Sequence, residues 1–555
     1  MRLNTLYPED ERVKTFMLPV TGAVRLAGPE IDIVRSPEFQ RLAGIRQLGT
    51  SYVVFRGANH TRFEHSLGSL AQAERMLLAI ENNAVTPHDI PPEARRLARL
   101  GALLHDLPHV PFGHTLEDEF HLLERHDTNK HRWRTLLLEG SIAQILRRSI
   151  GESEFDELVR VLRAKTDRQF GRLRYPYVGD IIGNTVCADL LDYVPRDLAA
   201  CGMPVTIGDH FLDYLTLTPP DAEGLHRSRV ALNLDKRGMP RPDVESEVVD
   251  LLSRRYELAE RVYFHHAKNS ASVMIARAVL DAGFAGGKKA RRVSDPNFLG
   301  LSDEGLLLAL REPAAADALG LHRTPEADAA GIQRASAMAS AVSQRRLYKI
   351  AYLAVHDDVV NRVDTICDRY GKEPLERRGL EDWLGGLADL EVGHALVHIP
   401  AASMMEKRAD VRVCTQAGDI VTLSQWDASH SRRLQALNEA HRRLWRVTVY
   451  VHPDAAKEQV RLLTAAAAAQ FGAPSRYRPT ASATVSYLRE VFDREGQTEG
   501  WDVRDWNSIV DTSEGVAALS FADSYQEIAA GLRTRVQLAR EIGAEAGIVP
   551  PSTGV

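Results

Sequence analysis

A helical stripe of leucines that runs into a His-Asp pair constrains this chain more than any other feature. Leu97, Leu100, Leu103 and Leu104 recur at the spacing of one buried helix face, and His105 and Asp106 follow at its end. Pro108 then stops the helix, and His109 and His114 come within nine residues of His105. Imidazole and carboxylate side by side at the end of an inner helix, with further imidazoles on the next loop, suit a metal site that performs hydrolysis. The dipeptide alone proves nothing, since it recurs at 88–89, 126–127 and 356–357. The apolar lead and the trailing histidines single out the copy at 105–106.

Composition bounds the rest. A length of 555 residues allows roughly two to four domains, or one large core with appendages. The chain is 44% hydrophobic and 26% charged, ordinary values for a globular protein. A net charge of −6 provides no global basic field, so nucleic acid is not indicated. Cys187, Cys201, Cys367 and Cys414 show no CxxC spacing, which argues against a zinc ribbon or a disulfide framework and for reduced thiols. The start lacks an apolar signal core, and no run of about 18 apolar residues occurs. A cytoplasmic protein without a membrane span is expected.

Along the chain, Ser36 reads as an N-cap and Pro37 as a first-turn residue of a helix through Phe39, Leu42, Ile45 and Leu48. A second helix follows His65, with Leu67, Leu70, Leu77 and Ile80 one turn apart, so His65 points inward. The leucine-stripe helix spans about 93–107. Residues 115–150 read as charged helix, 178–200 as one helix, and 244–282 as another. After 285 the pattern changes. Lys288-Lys289-Ala290-Arg291-Arg292 is a basic loop, and 312–345 is Ala-rich and weakly patterned. From 347 to 475, β-like runs (348–355, 411–415, 445–451) alternate with helices such as 455–471. Predicted units are a helical core over 1–285, a linker or insert over 286–345, an α+β lobe over 346–475 and a helical tail over 476–555. The fold class is mainly α.

His65, His105, Asp106 and Asp189 each lie on or at the end of a predicted helix with apolar flanks. Two imidazoles and two carboxylates form a mixed ligand set that favours Mn, Fe, Zn, Co or Ni over Ca. Four ligands leave positions open for water and a phosphate oxygen.

Five blocks now carry a family resemblance: Gln40-Arg41-Leu42; Gln47-Leu48-Gly49; the stretch from Asn59 to Gly68; the stretch from His105 to His114; and Asp189-Leu190-Leu191-Asp192-Tyr193. In this order and spacing the chain resembles the HD-domain deoxynucleoside triphosphate triphosphohydrolases, strongly over about 18–200 and weakly to about 270. The resemblance implies an all-helical HD core with a smaller α+β C-terminal lobe. It assigns His65, His105, Asp106 and Asp189 as metal ligands. It implies acid–base or phosphate-contacting roles for His109, His114 and Glu117, and for His126 with Asp127, where the family has His-Glu; His131 is a rival for that place. Arg62 would hold a phosphate, with Asp192 and Tyr193 beside the site. Gln47, Leu48 and Tyr263 would face the sugar, with Leu48 crowding a 2′-hydroxyl. Asp197, Arg255 and His265 would contact phosphates or sugar. A divalent transition metal is implied, with Mg on the substrate phosphates, as is a homo-oligomer, dimer or tetramer.

Departures matter too. Arg35 and Ala43 stand where the family's nucleotide-activator site has Asp and Arg, so the family's type of nucleotide switch is not expected. Pro108 replaces a glycine, which stiffens the loop. The leading expectation is hydrolysis of deoxynucleoside triphosphates to deoxynucleoside and triphosphate. Nucleoside monophosphates or a signalling nucleotide remain open as substrates. A non-enzymatic nucleotide-sensing or nucleic-acid-binding module also remains open, although a sensor needs no leaving-group acid.

Overall fold

The computed structural model describes residues 3–83, 88–219, 228–236, 239–286, 298–325, 327–401, 411–415, 419–429 and 432–477. The basic run Lys288–Arg292 and the expected tail beyond Tyr477 lie outside the described residues.

The chain opens with an antiparallel hairpin, β1 (Val13–Leu18) and β2 (Gly22–Ala27). Two short helices follow, α1 (Pro29–Arg35) and α2 (Pro37–Gln40). Ser36 caps α2 as its sequence predicts, its hydroxyl accepting the Phe39 N–H at 3.3 Å. Helix α3 (Arg62–Glu81) begins where the Glu64 carboxylate reaches back to the Thr61 N–H at 2.7 Å. Helix α4 (Pro92–Leu104) starts on a proline, whose missing N–H costs nothing there, and ends just before His105. Then come α5 (Lys130–Trp133), α6 (Ser141–Arg163), α7 (Asp167–Phe170), α8 (Pro176–Gly183) and α9 (Ala188–Ala200).

The leucine stripe of α4 is fully buried and packs with the inner faces of α3, α8 and α9. Two glycines permit the close approach. A Cβ at Gly68 on α3 would sit 1.8 Å from Asp192 Oδ1 of α9, and one at Gly101 on α4 would sit 2.2 Å from Ile182 Cδ1 of α8. Charged groups buried in this core include close pairs. The Arg99 Nη2–Glu30 Oε2 pair, 2.7 Å long, is nearly inaccessible on both sides.

Strands β3 (Leu215–Leu217) and β4 (Val230–Asn233) and the small hairpin β5 (Asp235–Lys236) and β6 (Met239–Pro240) precede α10 (Pro242–Leu258) and α11 (His266–Asp281). Helices α12 (Asp303–Arg311), α13 (Pro313–Ala318) and α14 (Ala329–Ser343) then share a hydrophobic cluster with α11. The stretch expected as linker or insert is thus folded against the core. Its alanines and Met338 bury well without a strong stripe.

The last part comprises β7 (Lys349–Val355), α15 (Val363–Ile366), α16 (Pro374–Leu387), β8 (Ala395–His398), β9 (Arg412–Cys414), β10 (Ile420–Thr422), α17 (Leu423–Ser429), α18 (Arg433–Arg442), β11 (Arg446–Val451) and α19 (Lys457–Phe471). β7, β11 and β8 form an antiparallel three-stranded sheet in that order, packed with α16 and α19. The molecule is mainly α with this small α+β part. A four-stranded sheet, β10-β9-β4-β3, mixes both parts of the chain: β4 pairs in parallel with β9, Leu232 opposite Val413.

Four expected helices are interrupted. The one expected through Leu48 is α-helical only over Pro37–Gln40 and tightens to a 3₁₀ turn over Arg41–Gly44, with Ile45 already extended. Residues 178–200 break between α8 and α9, so that Cys187 occupies the N-cap and Asp189 the first turn of a new helix. Residues 244–282 break at Phe264 and His265 after a wide turn at Ala259–Tyr263. Residues 115–150 hold two wide turns, Thr115–Glu119 and Arg134–Leu138, around α5, with α6 beginning only at Ser141. Each break places a polar side chain where a continuous helix would have turned it elsewhere.

The joint between α11 and α16 is ionic and buried. Arg277 donates to Glu381 Oε2 (2.8 Å), Asp382 Oδ1 (2.8 Å) and Asp281 Oδ1 (3.0 Å). Arg277→Ala leaves Asp281 and Glu381 buried without that cation and is expected to lower unfolding free energy by about 3–5 kcal/mol, read by denaturant titration. His398, on β8, has Nδ1 buried without a hydrogen-bond partner among the described residues. Burial, with Lys268, Arg446 and Arg377 nearby, holds its pKa well below the ordinary histidine value. The unfolded chain therefore takes up this proton first on acidification. Its stabilising contribution is complete above about pH 6.5 and is lost as pH falls below that value. The drop in Tm between pH 7.5 and 5.5 should be smaller in His398→Gln than in the unaltered chain.

Candidate metal centre

Three helix ends bring His65, His105 and Asp189 to one point, with Asp106 at its edge. His65 comes from the first turn of α3, His105 and Asp106 from the end of α4, and Asp189 from the first turn of α9. His65 Nε2 lies 3.1 Å from Asp189 Oδ1, 3.3 Å from His105 Nε2 and 3.7 Å from Asp106 Oδ2. His105 Nε2 lies 3.5 Å from Asp106 Oδ1 and 3.7 Å from Asp189 Oδ1. Donor atoms about 2.1 Å from a common tetrahedral ion would be about 3.4 Å apart.

The outer contacts fix which nitrogen faces inward. His65 Nδ1 donates to Asp192 Oδ2 at 2.9 Å, and His105 Nδ1 donates to the Ala102 carbonyl at 2.7 Å. Both Nε2 atoms then face the same space, where a divalent cation would take the place of a proton. Asp192 is itself gripped by Arg196, whose Nε and Nη2 reach its two oxygens at 2.9 and 2.7 Å, and by Thr21 Oγ1 at 3.1 Å. Burial works against charge on His65, yet the Asp189 and Asp192 carboxylates outweigh it and push its pKa up to about 10. Burial also opposes ionisation of Asp189, and His105 and His65 overcome it to hold the carboxyl far below its usual range. The residues fit a divalent ion.

Beside this point lies a second group, Asp106, His109 and His126, whose donor atoms also converge. The His109 and His126 rings stack at 3.6 Å. His109 Nδ1 lies 3.2 Å from Asp106 Oδ1 and from the Asp106 carbonyl, and its Nε2 is buried without a hydrogen-bond partner among the described residues. Burial, then Arg62, keeps His109 neutral by pulling its pKa well below the ordinary value. Glu117 is inaccessible and accepts from His126 Nδ1 at 2.8 Å and from Arg132. Against burial, Arg132 and His126 keep the Glu117 carboxylate ionised. His114, exposed, contacts Asp118 Oδ2 at 2.7 Å and meets the His109 ring edge-on at 5.1 Å. Asp127 lies 3.4 Å from Arg125 rather than on the imidazoles. His131 is exposed, so its rival His126 holds the place beside His109.

Arg62, the expected phosphate contact, sits beside Asp106 with its Nε buried and without a hydrogen-bond partner among the described residues. It is buried, and its Nη1 lies 2.5 Å from Asp106 Oδ2. Along another wall, Gln47, His60, Asp197 and Tyr263 form a chain. The Gln47 N–H donates to the His60 carbonyl (3.1 Å), His60 Nε2 meets Asp197 Oδ1 (2.8 Å), and the Tyr263 hydroxyl donates to Asp197 Oδ2 (3.1 Å). Leu48 is buried next to Gln47, and Tyr193 lies in the same region as Arg255 and Asp189. His265 caps α11 instead, its Nδ1 accepting the Ala267 N–H at 3.2 Å while its ring stacks on His266.

Sequence reasoning missed Arg132, Asp118 and Lys165. Desolvation pulls the Lys165 ammonium below its ordinary pKa, and Asp127, Asp106 and Asp189 act against that pull. No ion pair holds it among the described residues. Its only sequence signal was membership in a cationic run from Arg160 to Arg174.

Comparison with known proteins places an HD domain over residues 62–197 and an HD associated region over 245–474. The chain carries both. It is 32% identical over 265 residues to an uncharacterized protein of Bacillus subtilis (strain 168), covering 48% of this chain and 54% of that one. It is 28% identical over 303 residues to a deoxynucleoside triphosphate triphosphohydrolase of Gallus gallus, covering 50% and 46%. The chain thus spans about half the length of the curated relatives it matches. A crystal structure of a hypothetical protein from Aquifex aeolicus superimposes with TM-score 0.55 at 21% identity, over 81% of this chain and 100% of that chain, a likeness of fold.

The Asp192 carboxylate orients the His65 ring and is not one of the converging donor groups that would hold an ion. Asp192→Asn is expected to weaken divalent-metal binding 10–100-fold, read by metal titration of the stripped protein. Gly68→Ala, which drives a methyl into the same carboxylate, should do the same.

Proposed function

We propose that the chain is a metal-dependent phosphohydrolase that converts deoxynucleoside triphosphates to deoxynucleoside and triphosphate. The carrying observation is the convergence of His65, His105 and Asp189 with Asp106 beside them, the His65 and His105 rings held by Asp192 and the Ala102 carbonyl. When bound there, a Mn, Fe, Zn, Co or Ni ion supplies Lewis-acid polarisation of a phosphoryl oxygen and a source of hydroxide near neutral pH.

The chain's own groups divide the remaining work. Glu117 accepts the Nδ1–H of His126, which leaves His126 Nε2 to exchange a proton with the leaving 5′-oxygen. His109, neutral and stacked on His126, holds that ring in place and presents its own Nε2 as an acceptor. His114, on Asp118, stands at the exposed side of the same cluster.

Arg62 meets Asp106 through Nη1, while Arg132 is occupied by Glu117 and Arg196 by Asp192. Lys165 and Arg255 have no carboxylate within ion-pair distance among the described residues. They serve, with Arg62, as cations that bind substrate phosphates. The chain from Gln47 to Tyr263, with Leu48 beside it, receives the sugar. The curated relatives named deoxynucleoside triphosphate triphosphohydrolases support this choice of substrate. A homo-oligomer, tested by light scattering, belongs to the same proposal.

Incubation of the metal-loaded protein with each dNTP, read by chromatography, should yield deoxynucleoside and triphosphate in equal amounts. Free monophosphate as the product would redirect the reading to another phosphoester. No nucleoside from any dNTP with any of the metals would sink it. Lys165→Met should raise KM about tenfold while kcat changes little, as expected for loss of one phosphate contact present throughout the reaction.

A further inference from the structure

The loop that carries His109 and His114 contains a backbone conformation that side chains rarely adopt. Phe112 has φ +49°, and no glycine relieves it. A residue in this region persists only where its surroundings hold it there. Two side chains from outside the loop do so.

The first is Asp303, completely inaccessible at the start of α12. Its Oδ1 accepts the Phe112 N–H at 2.9 Å, and its Oδ2 accepts the Arg46 N–H at 2.9 Å. One carboxylate therefore ties the imidazole loop to the loop of Gln47 and Leu48. The second is Arg41. Its guanidinium donates to the carbonyls of Leu107 (3.2 Å), His109 and Leu299 (3.0 Å). No carboxylate lies within ion-pair distance of Arg41 among the described residues. A partly buried guanidinium held only by carbonyls is a costly group, and here all three carbonyls lie on the two segments being joined. Sterics close the same joint: a Cβ on Gly44 would sit 2.7 Å from Ser302 Cβ. The apolar side of the loop, Val110, Phe112 and Leu116, shares its hydrophobic cluster with α11 and α12.

We infer that Asp303 and Arg41 are positioning residues that clasp the 107–114 loop onto the segment 299–303 and so hold His109 in its stack with His126. The clasp bears on turnover only through the reading of these histidines given above, so its test includes a measurement independent of catalysis.

The full-length, metal-loaded chain is compared with Asp303→Asn, Arg41→Gln and Arg41→Lys. An asparagine offers one acceptor where the carboxylate offers two, so one backbone N–H loses its partner. Amide hydrogen exchange over 107–116 should rise at least tenfold in Asp303→Asn and Arg41→Gln, with the leucine stripe of α4 still protected and metal content unchanged. kcat should fall 10–100-fold with KM within threefold, and Arg41→Lys should recover part of both losses. Unchanged exchange over 107–116 in both variants overturns the inference. So does a rise spread evenly along the chain, which marks ordinary destabilisation. If the unaltered protein turns over no nucleotide, the proposed function fails while the exchange measurement still decides the clasp.

Discussion

Asp192 sits where α3 and α9 touch, and the missing side chain of Gly68 makes room for it. Its two oxygens are shared among His65, Arg196 and Thr21, which come from α3, α9 and the tip of the first hairpin. The rotation of the His65 ring, the inward-facing nitrogen and the approach of two helices are thus set by one carboxylate. The rest of the centre follows from it. With His65 held, His105 completes the nitrogen pair, and Asp106 and Asp189 close around them from the ends of their own helices. The start of α9 suits Asp189, because the unsatisfied N–H groups of a helix N-terminus favour negative charge.

The neighbouring imidazoles obey a different rule. Their charges are balanced inside the protein before any ligand arrives: Asp106 against Arg62, Glu117 against Arg132. These pairs are desolvated, and buried pairs add little net stability compared with apolar packing. What they provide is placement. An ionised Glu117 that cannot reach water has His126 and Arg132 as its partners, and that choice determines which way the His126 ring faces.

Much of this was legible in the residues. Leucine spacing in α4, the Ser36 cap and the inward direction of His65 all follow from local rules that operate within one or two helical turns. The four candidate ligands met as expected because each lay at a helix end with apolar neighbours. What local rules could not show was pairing across distance. That Arg62 stands beside Asp106, 44 positions later, was not visible in the local pattern. His265 looked like a site residue, but the break between α10 and α11 turned it into a cap. The break before Cys187 was equally hidden, because Ile181 to Leu191 reads as a helix in local pattern alone. Between His126 and His131 only the tertiary path of the loop decides. The segment after 298 was weakly patterned for the opposite reason: small residues bury without a stripe when the helices beside them are close.

The parallel pair of β4 and β9 has a consequence for how the molecule is made. Leu232 and Val413 lie about 180 positions apart, yet they are neighbours in one sheet. A chain emerging from the ribosome reaches β4 long before β9 exists. Until then β4 has β3 on one side and an unsatisfied row of amides and carbonyls on the other. The helical part can collapse early through its local contacts, but this sheet closes only after the whole middle of the chain has been synthesised. In the finished molecule, the late-arriving segment is the stitch that keeps an early strand from seeking a partner in another molecule.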